Sequence, residues 1–526
     1  MVARPLAYAR SYVAHLPVAA RRLLAGACVL ALGAVAYGIY VPVNHLLGKS
    51  CMHKGATSVT HHGSNGECVG ITDGAYVFHS SLRDVEDTIR QENRSVVKEH
   101  PTNYVSVVLL LPISPDKGSI MSMPNALEQL QGAYTAQHYA NRNNVKGLTP
   151  YIQLLIGSDG YQANGWQTAV SAIEDGGKQH IAAVAGFGLS LSGTESAIRD
   201  LTTHDIPAFG ATLTSDNYDN IKGFVRASPS NADNAAAALA YVQSDYKRAV
   251  LVEDGNTGDS YDVTLVSGFK KFSAIPGHQI VGVEPYDTSE RDRDGQSADE
   301  RQRHQTEVAT RIAQMTTNIC SAQPAVVLFA GRGQDIGVLV HAFSNTCLDK
   351  KIRIVSGDDV TNLPDSPQLR ADLASGHVTV DYAGVAHPGE WSAGVAHDAG
   401  HSEQQRDGAE GFATFSGAFT PLFPHGYLGD GNAMMAYDAT LTAVTAIRLT
   451  NQDQPEPDAV LNELGAIQGG GAVYGSSGPI GFTANYQTSK TGSNPVGKPI
   501  PIIRLTARGN PAVLAVKWPA QAPPVG

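Results

Sequence analysis

Beyond Pro101 the chain alternates short aliphatic runs with longer amphipathic stretches, and few folds can use such a pattern. "YVSVVLLLP" (104–112) is apolar on both faces and is stopped by a proline. "NALEQLQGAYTAQHYANRN" (125–143) then places Leu127, Leu130, Ala133 and Tyr134 on one helical stripe, interrupted at Gln137. "YIQLLIGSDG", "HIAAVAGFG", "IPAFGAT", "RAVLVED", "QIVGVEPYD", "AVVLFAGR" and "KIRIVSGDD" continue the strands. Helical stretches such as "ESAIRDLTTHD", "SYDVTLVSGFKKF" and "EVATRIAQMTTNIC" lie between them. Strands that are apolar on both faces belong to parallel sheets covered by helices on each side. About eight such units exceed one compact sheet, so the pattern predicts two α/β lobes, with "RASPSNADN" (226–234) as the crossing between them. "DTSERDRDGQSADERQ" (287–302) and "HPGEWSAGVAHDAGHSEQQRDGAEG" (387–411) read as loops.

The N-terminal part has a different character. Leu23–Val43 is an uncharged stretch of 21 residues, close to the ~20 needed to cross a bilayer. Arg4, Arg10, Arg21 and Arg22 precede it, so the positive-inside tendency keeps residues 1–22 in the cytoplasm and the rest outside. A cleaved signal peptide, with "AVA" (34–36) as its processing site, is the alternative to an uncleaved anchor. Cys28 lies within the apolar span. The other four cysteines suit an oxidising compartment, where proximity in sequence favours the pairs Cys51–Cys68 and Cys320–Cys347. Zinc binding by the histidines and cysteines of "CMHKGATSVTHHGSNGEC" is the competing reading, at a spacing that fits no standard finger. Residues 44–102 read as a membrane-proximal stalk or cap, helical through "LRDVEDTIRQENRSVV". The net charge of −11, with no dense cluster of Lys and Arg, argues against a nucleic-acid partner.

"GLSLSGTE" (188–195) has the glycine spacing of a phosphate loop but carries Thr194 where that motif needs lysine. Ser192 and Glu195 have the spacing of a capping box, which would start a helix there. A helix N-terminus with Ser190 and Ser192 beside it suits a carboxylate, which needs neither lysine nor magnesium. A plain cap and tight turn is the alternative.

From about Tyr104 to Val516 the order of segments resembles the type I periplasmic binding proteins, in particular the leucine/isoleucine/valine-binding group associated with transporters. "IQLLIGSDGYQANGWQTAVSAI", "AAVAGFGLSLSGTESAIRDLTTHDIPAFGAT", "FVRASPSNADNAAAALAYV", "AVLVEDGNTGDSYDVTLVSGFKKF" and "GYLGDGNAMMAYDATLTAVTAIRL" follow one another as that family's strands, serine-rich turn, lobe crossing and late helix do. The resemblance implies lobe 1 over 103–228 and 361–460, lobe 2 over 229–360 and 461–517, and a tail at 518–526. It implies a ligand in the hinged cleft, its carboxylate held by Ser190 or Ser192 and by Thr212 or Thr214, its ammonium by Asp358 with Asp359 beside it. Where the family often sets an aromatic over the ligand, this chain has Thr257 and Arg332. Arg332 either meets an acidic group of the ligand or is a salt-bridged lid residue.

No G-x-S-x-G elbow or H-E-x-x-H is present, and "HDAGH" (397–401), near His387, Glu390 and Glu403, lacks the metalloprotease glutamate. The glycine spacing also fits no dinucleotide loop. The expectation is therefore a non-enzymatic, membrane-anchored extracytoplasmic protein that captures an amino-acid-like ligand for an ABC permease, without cofactor or metal. A sensor or scaffold with a degenerate cleft is the second reading, and a metal-dependent enzyme the third.

Overall fold

Strand β4 (Tyr104–Leu111) is buried along its whole length, as its two apolar faces require. It sits in the middle of a sheet of eight strands, order β1-β2-β3-β5-β4-β6-β7-β8. Its partners are β1 (His53–Lys54), β2 (Thr57–His62), β3 (Glu67–Thr72), β5 (Tyr151–Ser158), β6 (Ile181–Gly186), β7 (Ala208–Gly210) and β8 (Phe224–Arg226). A second sheet runs β10-β9-β11-β12-β13-β17-β18-β14. It comprises β9 (Arg248–Asp254), β10 (Gln279–Tyr286), β11 (Val326–Ala330), β12 (Ile352–Ser356), β13 (Val378–Ala383), β14 (Ala396–His397), β17 (Ile500–Arg504) and β18 (Ala512–Lys517). A hairpin of β15 (Val473–Gly475) and β16 (Gly478–Ile480) stands apart from both. This is a computed structural model, and it describes residues 51–519 apart from 52, 55–56, 64–66, 116–117, 294–295, 364–365 and 508–510. The described residues beyond Cys51 form one compact body. The anchor expected at 23–43, its arm at 1–22 and most of the tail lie outside the described residues. Among the described residues no helix is long and apolar enough to cross a membrane.

Two expected boundaries move. Residues 53–99 are not a stalk: β2 and β3 pair antiparallel, and β3 continues antiparallel onto β5. Helix α1 (Arg83–Glu99) lies against β5. Only Gly70–Thr72 pair with β5, which leaves its first half with an open edge. Asn93 of α1 closes it, accepting from Leu154 N–H at 2.9 Å and donating to Leu154 C=O at 2.7 Å. From helix α2 (Met123–Ala140) Gln137 donates to Ile152 C=O at 3.0 Å, and Asn141 accepts from Ile152 N–H at 2.8 Å. Buried backbone polar groups must find partners. That requirement explains why a glutamine interrupts the apolar stripe of α2.

The second boundary is the return to lobe 1, expected at 361. Strand β13 instead continues the second sheet, parallel to β12 from the pair Ile352/Val378 onward, and β14 pairs with β18. The chain joins lobe 1 again through helices α7 (Ser402–Leu422) and α8 (Asn432–Leu449) and stays there through Tyr486, which is buried in the same core. Residues 361–397 thus belong with lobe 2, and 461–486 with lobe 1. Both stretches read as loops are partly helical as well. Ala298–Ala322 is one helix, started by a capping box in which Ser297 Oγ accepts from Glu300 N–H and Glu300 accepts from Ser297 N–H. The other contains the beginning of α7. Its composition, rich in Gly and Ala, hides an amphipathic face that buries Gly408, Gly411, Phe415 and Phe419.

Helix α8 is buried on nearly every side and packs across α2 and β6. Close approach of the two helices depends on Gly132, where a Cβ would stand 2.0 Å from Ala433 O. Alanine would favour the helix by about 1 kcal/mol, but a backbone carbonyl cannot swing aside as a side chain can. Gly132→Ala is therefore expected to cost about 2 kcal/mol net, read as a lower urea midpoint at unchanged slope; an unchanged or raised midpoint would contradict this packing. Cys320 and Cys347 form a disulfide that ties the end of Ala298–Ala322 to the loop after helix α6 (Gly333–Ser344). Cys51 and Cys68 are also disulfide-bonded.

Candidate functional site

After β6 the chain turns through three successive positive φ angles, +99° at Gly186, +68° at Phe187 and +61° at Gly188. Glycine accepts this freely, and Phe187 is held in it by a fully buried ring. The turn throws Ser190 over the end of β7, where its Oγ accepts from Thr214 N–H at 3.1 Å and Ser215 N–H at 3.2 Å. Thr212 Oγ1 donates to Gly188 C=O at 2.6 Å. Ser190, Thr212 and Asp358 line one inter-lobe cleft together with Arg332, Asp359 and Gln129. Thr214 is buried and is not among the residues lining this cleft. Ser192 and Thr257 are exposed and outside this cleft. The capping box expected of Ser192 and Glu195 does not form. Helix α3 (Ser192–Thr203) already begins at Ser192 with Leu191 as its cap, and Glu195 accepts from Arg199 at 2.9 Å instead.

Arg332 occupies the centre of the cleft at 2% exposure. It leaves the end of β11 and crosses lobe 2 towards Asp259, the N-cap of helix α5 (Ser260–Lys270), which follows helix α4 (Asn231–Val242). Its Nε and Nη2 donate to the Asp259 carboxylate at 2.7 and 2.8 Å, and Nη1 donates to Asp359 Oδ1 at 2.8 Å. Nη2 also reaches the Ser190 carbonyl of lobe 1 at 3.0 Å, and the guanidinium lies 4.6 Å from the Tyr261 ring centre. Four of its five N–H groups are thereby used. Of the two readings of Arg332, the salt-bridged one matches this geometry. Against the pull of burial, Asp259 and Asp359 hold its pKa well above the ordinary value. Asp358 accepts from Asn234 at 3.2 Å. Burial, then the Asp359 charge, pushes its carboxyl up to about 7. Around the guanidinium the inner cleft keeps about 20 Å³, enough for roughly one water.

The larger void lies beside it. A chamber of about 550 Å³ opens between the lobes, lined by Asn125 and Glu128 of lobe 1, by Asn362, Leu369 and Tyr382 of lobe 2, and by Asp430 just ahead of α8. It shares Thr361, Asn362 and Asp430 with the inner cleft. Asn125 donates across the lobes to Asn362 Oδ1 at 2.5 Å, and Asn432 donates to Glu128 Oε2 at 3.3 Å. Burial and a hydrogen bond shared with Asp430 push the Glu128 carboxyl up to about 11. None of Glu128, Asp259 and Asp430 stood out in the sequence. A glutamate inside the apolar stripe of α2, an aspartate before "SYDVTLVSGFKKF" and the turn "GDGN" were the available signals.

The histidines of "HDAGH" serve packing. His401 stacks on Trp518 with ring centres 4.7 Å apart. His397 lies between Trp391 and Trp518, its Nε2 2.9 Å from the Glu390 carbonyl.

No protein-family model matches the chain, and no curated protein matches it. Solved structures do. The leucine-binding protein LivK of Thermotoga maritima superposes at a TM-score of 0.54 with 16% identity, covering 78% of this chain and 98% of its own. The branched-chain amino acid substrate-binding protein LivJ of Streptococcus pneumoniae, in complex with isoleucine, gives 0.53, 14%, 79% and 99% in the same order. An ABC-transporter solute-binding protein of Rhodopseudomonas palustris in complex with 3,4-dihydroxybenzoic acid gives 0.53, 16%, 80% and 98%. Two α/β lobes, a cleft at their strand ends and the full length of these neighbours agree, and the chain has the fold of these ABC-transporter substrate-binding proteins, the type I periplasmic-binding-protein fold.

Proposed function

We propose that the chain is a membrane-anchored extracytoplasmic solute-binding protein, retained through residues 23–43, that closes its lobes over a small polar ligand, an amino acid or related compound, and hands it to an ABC permease. The chamber of about 550 Å³ carries this reading, because both lobes line it and its volume falls in the range of small-molecule sites. Two further points support it. The Cys320–Cys347 disulfide suits an oxidising compartment, and structural neighbours are described as binding leucine, isoleucine or hydroxybenzoates.

One observation favours the second reading, a sensor or scaffold with a degenerate cleft. Arg332 fills the centre of the cleft with a cation of the chain's own. A thermal-shift screen of the full-length chain against amino acids, small peptides and aromatic and aliphatic acids separates the two. A ligand at 100 times its Kd adds about 2.7 kcal/mol, and a hit is the expected result. Silence across the panel, with a cooperative melt, would discard the solute-binding reading for the sensor or scaffold.

A further inference from the structure

Resting on the solute-binding reading, we infer that the ligand sits in the side chamber rather than at the serine turn, with an ammonium or other donor-rich cation against Asp430 and Glu128.

The inner cleft already contains the charges such a ligand would bring. Asp259, Asp359 and the Ser190 carbonyl all receive N–H groups from Arg332. What faces the remaining space is rich in acceptors. Asp430 borders both the chamber and the inner cleft. Beside it Gln129, at 1% exposure, presents an Oε1 that has no hydrogen-bond partner among the described residues. An unpaired buried acceptor costs about 1–3 kcal/mol; Gln129 lines the inner cleft and not the chamber itself, so the donor it lacks would reach it past Asp430, which borders both spaces. Glu128 faces Asp430 from lobe 1, and burial keeps the pair from carrying two charges at neutral pH. A cation between them would favour the doubly charged state and receive charge-assisted hydrogen bonds. Tyr382 and Leu369 give the chamber an apolar wall. Arg370, exposed where Glu128 and Asp430 are buried, adds a positive charge to the chamber's lining. The polarity therefore runs from carboxylates inside to arginine outside.

Isothermal titration of the full-length chain tests this with 1,4-diaminobutane and 4-aminobutanoate as probes, and with 1,4-butanediol and butanoate as controls of similar length without a cation. The aminated probes are expected to bind, and the controls to bind about ten-fold more weakly or not at all. Glu128→Gln and Asp430→Asn should each weaken the aminated probes about ten-fold or more, while Thr257→Ala, outside the cleft, changes nothing. Melting curves of each variant show whether it is folded. Binding lost in Ser190→Ala but kept in Glu128→Gln would return the ligand to the serine turn and overturn the inference, leaving the solute-binding reading intact. Tight binding of the controls or of another screened compound, indifferent to Glu128→Gln, would do the same. If neither the probes nor the wider screen gives a binder, both fall.

Discussion

Arg332→Ala is expected to unfold the chain at markedly lower denaturant, with a loss of about 4 kcal/mol, because removing one partner of a buried ion pair costs about 3–5 kcal/mol. Two carboxylates lose their cation at once, both nearly inaccessible to water. They keep other partners: Asp259 still accepts from Tyr261 N–H, and Asp359 from Gly333 N–H and Asn362. Those bonds hold the carboxylates in place, so neither can turn to solvent. Arg332→Lys keeps the charge but not the fork that serves two acids and a carbonyl together, and about half of the loss should remain. The same substitution removes the tie to the Ser190 carbonyl, so small-angle scattering of Arg332→Ala should report a larger radius of gyration than wild type. A loss below about 1 kcal/mol, the scale of an exposed ion pair, would show that the guanidinium is not the keystone of the closed cleft.

Asp438→Ala should cost as much by a different route. Asp438 of α8 accepts at Oδ1 from Ser476 N–H (2.6 Å) and Ser476 Oγ (2.9 Å), and at Oδ2 from Ser477 N–H (3.0 Å) and the Ser477 hydroxyl. Lys498, just before β17, donates to Ser477 Oγ at 2.6 Å and lies 3.9 Å from Asp438. The carboxylate thus fixes the β15–β16 hairpin and the strand that leads back into lobe 2. Alanine would leave two backbone N–H groups unpaired and Lys498 buried with the Ser477 hydroxyl and Glu390 beside it, and burial drives the Glu390 carboxyl well above its ordinary pKa. About 4 kcal/mol is expected, measured by denaturant unfolding, with Asp438→Asn in between because its amide still accepts on one side. An Asn variant as damaged as the Ala variant would mean that the charge matters more than the hydrogen bonds.

Sequence alone carried the two α/β lobes, because strands with two buried faces leave a pattern that survives in "VVLLL" or "AAVAG". Ser190, Thr212 and Asp358, which the resemblance to the binding proteins singles out with Ser192 and Thr214 as alternatives, line one cleft. Contacts between distant segments leave no pattern. Arg332 meets Asp259 across 73 positions and Ser190 across 142. Glu128 looked like one polar residue on a helix. Thr257 rested on the same resemblance, and it is exposed and absent from the cleft lining. The two capping boxes show the limit of short motifs. The spacing at Ser192 and Glu195 is as good as that at Ser297 and Glu300, yet the former fails because Ser190 and Leu191 are drawn towards β7 and the cleft. The exchange of 361–397 for 461–486 between lobes has the same origin, as strand pairing rather than chain order decides which sheet a short run such as "VTVDYA" joins.

The late return of the chain to lobe 1 has a consequence for biosynthesis. Helix α8 covers the face of the first sheet formed by residues such as Val107, Ala183 and Ala185. It begins at Asn432, about 250 residues after β6 ends at Gly186, so at about 5–20 residues per second that face stays bare for roughly 10–50 s during elongation. The second sheet is largely made in that interval. Nascent chains of this protein would therefore hold six strands of the second sheet before the face of the first is covered, with β17 and β18 added last, and the half-built first sheet would be the species that chaperones shield or proteases find.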